Sequence, residues 1–372
     1  MGSFIVGMEP LMGVALPLDG NREAPGREIT EVLRKLTAGY ALYFPDEKAP
    51  PTISSVQFTG RRLSDVARVE LNFNRSIARI YVKAHKHPKS PPERVRKKAR
   101  LEFDTLSYLY ERFRTVPRCS VVRPIAFFPE EIAVVTEEGE GKNLHHLIKA
   151  KASVWHGGSE IEVLKGHCRA CGKWLRHFQE LTFQERREAI PVNNILEQLV
   201  ANLEVCVQMG LPRIASSGLL RFYEDQLRRI EGREFPVVGE HPDFQPDNIL
   251  VCPSGVTVLD FTSFQYGSIY NDVARFLVSV DFLSKNPFYS RARIHTLAAA
   301  FLQGYGWREK EMDPGLTVYL IRYMVQAVAT VSTWPRSAFV KRFVERRAAA
   351  FLSAWSRRII SSGDDFVGTV LG

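Results

Sequence analysis

Between residues 54 and 84 the chain reads as strands, and over 66–73 and 77–84 apolar and polar positions alternate with the period of a half-buried strand. Three runs stand out, 55–59, 66–73 and 77–84. The last two are rich in β-branched residues and are separated by Asn74, Arg75 and Ser76, which predicts a hairpin. Residues 28–39 and 93–113 instead carry apolar positions at helical spacing. In the second of these, Leu101, Leu106, Leu109 and Phe113 are expected on one side. Pro45, Pro50 and Pro51 separate the first helix from the strands, and Pro88, Pro91 and Pro92 close the strand region. Two more strands are expected over 121–127 and 132–136, turned by Pro129, Glu130 and Glu131.

After the run Glu137-Glu138-Gly139-Glu140-Gly141 the period changes to that of helices. Helices are expected over 143–150, 163–181, 194–208 and 218–231, then a β-like stretch over 237–261, then helices to the end. The pattern predicts an α+β protein: an antiparallel sheet with one helix, followed by a mostly helical part. Residues 1–27 read as loosely ordered, 28–138 as a first lobe and 139–372 as a second. A chain of 372 residues is long enough for two cores.

Composition changes this picture little. Hydrophobic residues make up 45% and charged residues 24%, ordinary for a globular protein. Five scattered cysteines do not form a disulfide framework and favour a reducing compartment. The first residues lack a basic region, and Glu9 and Pro10 break their apolar run, so a secretory signal is not expected. The apolar stretch after Val273 is interrupted by Arg275 and Asp281, so no membrane span is expected. A cytoplasmic location follows from these readings, with a peripheral contact at a membrane surface left open. The net charge is +9, and it is uneven. From residue 281 to 358, 13 Lys and Arg face 5 Asp and Glu. Such a patch either attracts phosphate-bearing partners or merely solvates the surface.

The chemistry concentrates in His241-Pro-Asp-Phe-Gln-Pro-Asp-Asn, followed by an apolar strand ending in Asp260-Phe-Thr. Phosphoryl transfer needs a carboxylate near the attacking hydroxyl and oxygen ligands for magnesium. Asp243 suits the first role, and Asn248 and Asp260 suit the second.

This pattern resembles the aminoglycoside phosphotransferase and choline-kinase branch of the protein-kinase-like superfamily. The resemblance runs from about residue 54 to 277 and is strongest over 243–272. Asn271-Asp272-Val-Ala-Arg resembles the start of the helix whose aspartate braces the catalytic loop there, and Cys171-Gly-Lys-Trp-Leu-Arg-His resembles the helix before the loop. The segment from Val134 through Glu137 to Leu144 resembles the hinge that meets adenine. The resemblance implies a bilobal protein-kinase-like fold, ATP and Mg²⁺ as cofactors, and catalysis by Asp243. It implies a lysine for the α- and β-phosphates, for which Lys83 is the candidate, and a glutamate that fixes it. Glu102 is the first choice for that glutamate and Glu93 the alternative. Without the downstream motif the pair would read as a surface lysine and a solvated glutamate; with it, the phosphate-binding pair is the preferred reading. No Gly-x-Gly-x-x-Gly loop precedes Lys83; Gly60 and Ser64 stand where phosphate contacts would be made. Thr262 after Asp260-Phe261 and the lack of Ala-Pro-Glu argue against a typical protein kinase.

Two signals are read as structural, and a third, aromatic one stays open between two readings. Cys168 and Cys171 sit at helical i, i+3 spacing without a second pair, which points to core packing rather than zinc. His145 and His146 are adjacent on a helix, so a capping or surface role is expected. Tyr305, Trp307 and Trp334 either stack on a sugar or fill the core. The basic second lobe disfavours a polycationic aminoglycoside. The expected activity is ATP- and Mg-dependent phosphorylation of a hydroxyl on a small molecule or glycan, neutral or anionic. A catalytically inactive, nucleotide- or partner-binding scaffold is the alternative, and a nucleic-acid partner is not expected.

Overall fold

The computed structural model describes residues 26–60, 63–86, 90–153, 155, 157–286, 288–307, 313–333 and 337–361. The expectation for 1–27 therefore lies almost wholly outside the described residues, as does that for Trp334. By its contacts the chain divides into two compact units. Among the described residues, one takes 26–141 plus Leu250–Phe264, and the other takes Lys142–Ile249 and the residues from Gln265 on.

The first unit is built on a five-stranded antiparallel sheet, in the order Thr52–Gly60, Ser64–Asn72, Ile77–His85, Ala133–Glu137, Pro124–Phe128. Alternation sorts its side chains into two faces. Ile80, Val82 and Ala84 join Ala67, Val69 and Leu71 on one face, covered by Ile29, Val32, Leu33 and Leu36 of the helix Arg27–Ala38. The other face carries Lys83 beside its register partner Val134. There the helix Pro92–Phe113 packs Ala99 against Ile132 and Val134. The same helix buries Glu102, Leu106, Leu109 and Phe113 but leaves Leu101 45% exposed, contrary to the sequence reading. Its buried stripe runs through position 102, about 100° from Leu101 on a helix of 3.6 residues per turn.

The strand expected over 121–127 is two strands. Cys119–Val121 pairs in parallel with Gly255–Val258, whereas Pro124–Phe128 joins the main sheet. Gly255 permits the first pairing: at its φ of 149° a Cβ would stand 2.1 Å from the Arg118 carbonyl oxygen. Gly255–Val258 and Ile249–Cys252 form the hairpin that ends just before Asp260.

In the second unit the helices Gly158–Leu181 and Arg291–Tyr305 cross in close contact. A Cβ on Gly304 would fall 1.9 Å from the Arg169 carbonyl oxygen, so a larger residue would force the helices apart. All twelve residues of the helix Tyr270–Asp281 are buried, including Asn271, Asp272, Arg275 and Ser279. The helices Val192–Gln208, Arg213–Ile230, Pro314–Thr330 and Ala338–Ser361 complete the unit. A three-stranded antiparallel sheet, Gln265–Ser268, Glu234–Glu240 and Gln184–Ala189, was not legible in full. Gln184–Ala189 is nearly all polar and exposed, so its pattern carries no alternation to read. Cys168 and Cys171 are fully buried, as their spacing predicts.

Candidate active site

Among the described residues, each unit carries a cluster of side chains suited to phosphate chemistry. On the first unit the cluster forms where the strand Ile77–His85 faces the helix Pro92–Phe113. Lys83 Nζ donates to Glu102 Oε1 at 3.0 Å, to Asp260 Oδ1 at 2.7 Å and to Thr262 Oγ1 at 2.6 Å. Thr262 Oγ1 also lies 2.9 Å from Glu102 Oε2 and 2.6 Å from Asp260 Oδ1. Its single proton therefore serves one carboxylate while its lone pairs receive the lysine. His85 Nε2 lies 3.1 Å from Glu102 Oε2. Burial works against the charge on Lys83, but the carboxylates of Asp260 and Glu102 outweigh it and hold the ammonium above its ordinary range. Burial likewise opposes ionisation of Glu102, and Lys83 and a hydrogen bond from His85 outweigh it, so that carboxyl is held down.

Asp260 has φ of 65°, in the left-handed region that aspartate enters more readily than most residues. Its side chain accepts from the Thr262 amide at 3.4 Å. The strained residue is thus tied to the turn that follows it.

On the second unit the loop from His241 is held from beneath. The His241 amide donates to Asp272 Oδ2 at 2.8 Å. Phe244 is fully buried against Trp174, Phe276 and Phe301, with ring centroids 5.6, 5.8 and 6.3 Å away. Asn248 Nδ2 donates to Asp243 Oδ2 at 2.9 Å and to the Asp243 carbonyl at 3.0 Å. Arg275 Nη2 donates to Asp243 Oδ1 at 2.6 Å and to Gln245 Oε1 at 3.1 Å. Asp272 in turn accepts from Asn271 Nδ2 at 3.2 Å, and Tyr323 Oη donates to Asn271 Oδ1 at 2.7 Å. Burial, then the nearby Glu240, pushes the Asp272 carboxyl well above the usual carboxylate range. Beside the loop, His145 is buried rather than exposed, which corrects the sequence reading. The helix Leu144–Lys151 turns Leu144, His145 and Ile148 inward, and Asn143, not a histidine, caps it by accepting from the His146 amide. Burial pushes the His145 imidazole down to about 3.

The remaining sequence candidates fall as follows. Gly60 ends the first strand of the sheet and Ser64, buried, opens the second. Glu137 ends the strand Ala133–Glu137; its carboxylate pairs with Arg123 at 3.0 Å and its amide donates to the Arg123 carbonyl at 2.9 Å. Glu93 pairs with its helix neighbour Arg96. Tyr305 is buried and donates to Gln179, a core role. Thr262, Arg275, Gln245 and Tyr323 were missed. Arg275 did carry a signal: a lone charge inside Val-Ala-Arg-Phe-Leu-Val must find a partner once that helix is buried.

Among the described residues no three His, Cys, Asp or Glu side chains gather as a cage for a metal. On the first unit the Asp260 carboxylate is half-exposed, and on the second the Asn248 side-chain nitrogen is spent on Asp243.

A family model described as the phosphotransferase enzyme family matches residues 63–315. No curated protein matches the sequence. Among solved structures, the chain is similar to a microcompartment-associated aminopropanol kinase at 15% identity, over 90% of this chain and 98% of that one, with a TM-score of 0.55. It is similar to a choline/ethanolamine kinase family protein from Mesorhizobium loti at 12% identity, over 92% and 99%, with a TM-score of 0.52. It is similar to an amicoumacin kinase in complex with AMP-PNP, Ca²⁺ and Ami at 16% identity, over 90% and 94%, with a TM-score of 0.51. These likenesses show a shared kinase-type fold.

Proposed function

Since the chain belongs to the phosphotransferase enzyme family, we propose that it transfers the γ-phosphoryl group of ATP to a hydroxyl of a small molecule or glycan. The observation that carries this reading is the Lys83–Glu102–Asp260 cluster, with Nζ–O distances of 3.0 and 2.7 Å. A buried glutamate that fixes a lysine, and a carboxylate beside that lysine, form a cation and a metal ligand ready for phosphates. A scaffold that binds only a partner would have no need of that arrangement.

In this reading Lys83 binds the α- and β-phosphates and Glu102 keeps its ammonium in place. Gly60 and Ser64 lie on the strands before it, where backbone or hydroxyl contacts to phosphate are made, and the segment at Glu137 meets the base. Asp260 and Asn248 are the ligands for magnesium, which when bound would neutralise phosphate charge. Asp243 accepts a hydrogen bond from the acceptor hydroxyl, aims its oxygen at the γ-phosphorus and receives the proton as the new P–O bond forms and the bond from the γ-phosphorus to the bridging oxygen breaks, releasing ADP.

The acceptor is proposed to be neutral or anionic. The excess of 13 basic over 5 acidic residues from 281 to 358 disfavours a polycation. The helix Ala338–Ser361 adds a second use for that charge. It buries Leu352 and Trp355, yet leaves Phe339 85% and Phe343 56% exposed, with Arg342, Arg346 and Arg347 exposed among them. That face suits a peripheral contact with an acidic membrane. Among the described residues no helix is long and apolar enough to cross one.

The test is Mg-dependent phosphate transfer from labelled ATP to a panel of hydroxyl-bearing metabolites and glycans. Transfer that disappears without magnesium and in Lys83→Met supports the reading. Mg·ATP that is not turned over with any member of the panel or with water, whether or not it binds, points to the scaffold.

A further inference from the structure

Among the described residues Arg275 is the largest fully buried charged side chain, 0% exposed. Withdrawing a guanidinium from water is costly unless its donors are met. Here they are met on one side only. Nη2 reaches Asp243 Oδ1 at 2.6 Å and Gln245 Oε1 at 3.1 Å, while Nε and Nη1 are buried without a hydrogen-bond partner. The ring of Tyr323 lies 5.5 Å from the guanidinium carbon. A residue serving stability alone would do better as a hydrocarbon of similar volume, because a buried ion pair with unmet donors returns little. The arrangement makes sense through Asp243.

We infer that Arg275 is a positioning residue that fixes the plane of the Asp243 carboxylate. The inference rests on the phosphotransferase reading, in which Asp243 faces the acceptor hydroxyl. Each oxygen of that carboxylate has its own anchor, Arg275 on Oδ1 and Asn248 on Oδ2 at 2.9 Å. Arg275 follows Asp272 by three residues, about one turn along a helix buried on every side. Asp272 holds the His241 amide at 2.8 Å. One helical turn therefore fixes the loop twice, by its backbone at His241 and by its carboxylate at Asp243. Phosphoryl transfer draws most of its acceleration from position and electrostatics, so a carboxylate free to rotate would lose rate without loosening the nucleotide.

The test uses the full chain with labelled ATP, magnesium and water as acceptor, in Arg275→Met, Arg275→Lys, Asp243→Ala and the Arg275→Met/Asp243→Ala double variant. Phosphate release is expected to fall at least about tenfold in Arg275→Met while the Kd for Mg·ATP moves less than about threefold. Lysine restores the charge and is expected to recover part of that loss. In the Asp243→Ala background, Arg275→Met is expected to cost nothing further. Wild-type release in Arg275→Met, or an equal loss in both backgrounds, overturns the inference. Urea unfolding tests the pair without turnover. Asp243→Ala, which leaves the guanidinium buried without its carboxylate, should lower the midpoint, and adding Arg275→Met in that background should recover part of the loss. Additive midpoints mean the pair is not coupled and overturn the inference on their own. A wild type that neither binds Mg·ATP nor releases phosphate overturns the phosphotransferase reading and removes this role with it.

Discussion

At the scale of single residues, the second unit's loop and the first unit's lysine make separable predictions. Asp243→Asn keeps the shape of the side chain and removes the charge that accepts the hydroxyl proton. Turnover is expected to fall by about 10²-fold or more, the usual contribution of a positioned acid or base, with Mg·ATP affinity nearly unchanged by calorimetry. Turnover near wild type on the true acceptor would take Asp243 out of that role. Glu102→Gln leaves Lys83 with Asp260 and Thr262 but removes one of two negative charges that hold it. ATP binding should weaken about tenfold or more, a loss of roughly 1.4 kcal/mol. Its stability effect has a sign. Glu102 holds its proton less readily folded than unfolded, so its stabilising share is complete above the ordinary carboxylate value of about 4.3. That share fades as the pH drops through the lowered folded value. Urea midpoints of wild type and Glu102→Gln should therefore converge toward low pH. Midpoints that keep their separation down to pH 2 would contradict the pairing.

At the scale of elements, the sheet and its covering helices could be read because each buries one face. Ile80, Val82 and Ala84 alternate strictly, and the helix Arg27–Ala38 repeats its four buried residues at helical spacing. The loop containing Asp243 and Asn248 could be read because its residue types and spacing are unusual. Illegible parts had other causes. Gln184–Ala189 is a strand by virtue of its neighbour Glu234–Glu240, not of its own pattern. Thr262 looked like a mere departure from glycine, because only the fold brings its hydroxyl to Lys83, Glu102 and Asp260. Arg275 looked like a break in an apolar run until that run proved to be a wholly buried helix. That helix makes a prediction of its own. Asp272 holds its proton more readily folded than unfolded, so it contributes less to stability as the pH rises above about 3.9. Asp272→Asn lacks this titration. The stability of wild type relative to Asp272→Asn should decline by up to about 1.4 kcal/mol per pH unit above that value. A difference that stays flat from pH 4 to 7 would mean Asp272 is not strained by its burial.

At the scale of the whole molecule, charge separates one function from another. The basic excess from 281 to 358 lies outside the residues proposed to hold the nucleotide. Part of it sits on the exposed side of the helix Ala338–Ser361, where Arg342 and Arg346 flank Phe343. An exposed arginine near an acidic bilayer contributes about 1 kcal/mol, so a single reversal is too small to read and a double one is needed. Arg342→Glu with Arg346→Glu should release the chain from vesicles containing anionic lipid while leaving Mg·ATP affinity as in wild type. Binding of wild type should itself weaken with salt, because the Debye length falls from about 10 Å at 0.1 M to about 3 Å at 1 M. Phe339→Ser with Phe343→Ser separates the apolar share, which should persist at high salt if these rings enter the interface. Sedimentation with neutral and with anionic vesicles reads all three. If wild type ignores anionic vesicles at low salt but the double reversal damages phosphate transfer, the basic face serves the acceptor and an anionic acceptor is favoured. If neither changes, the arginines only solvate the helix, and charge no longer argues against a cationic acceptor.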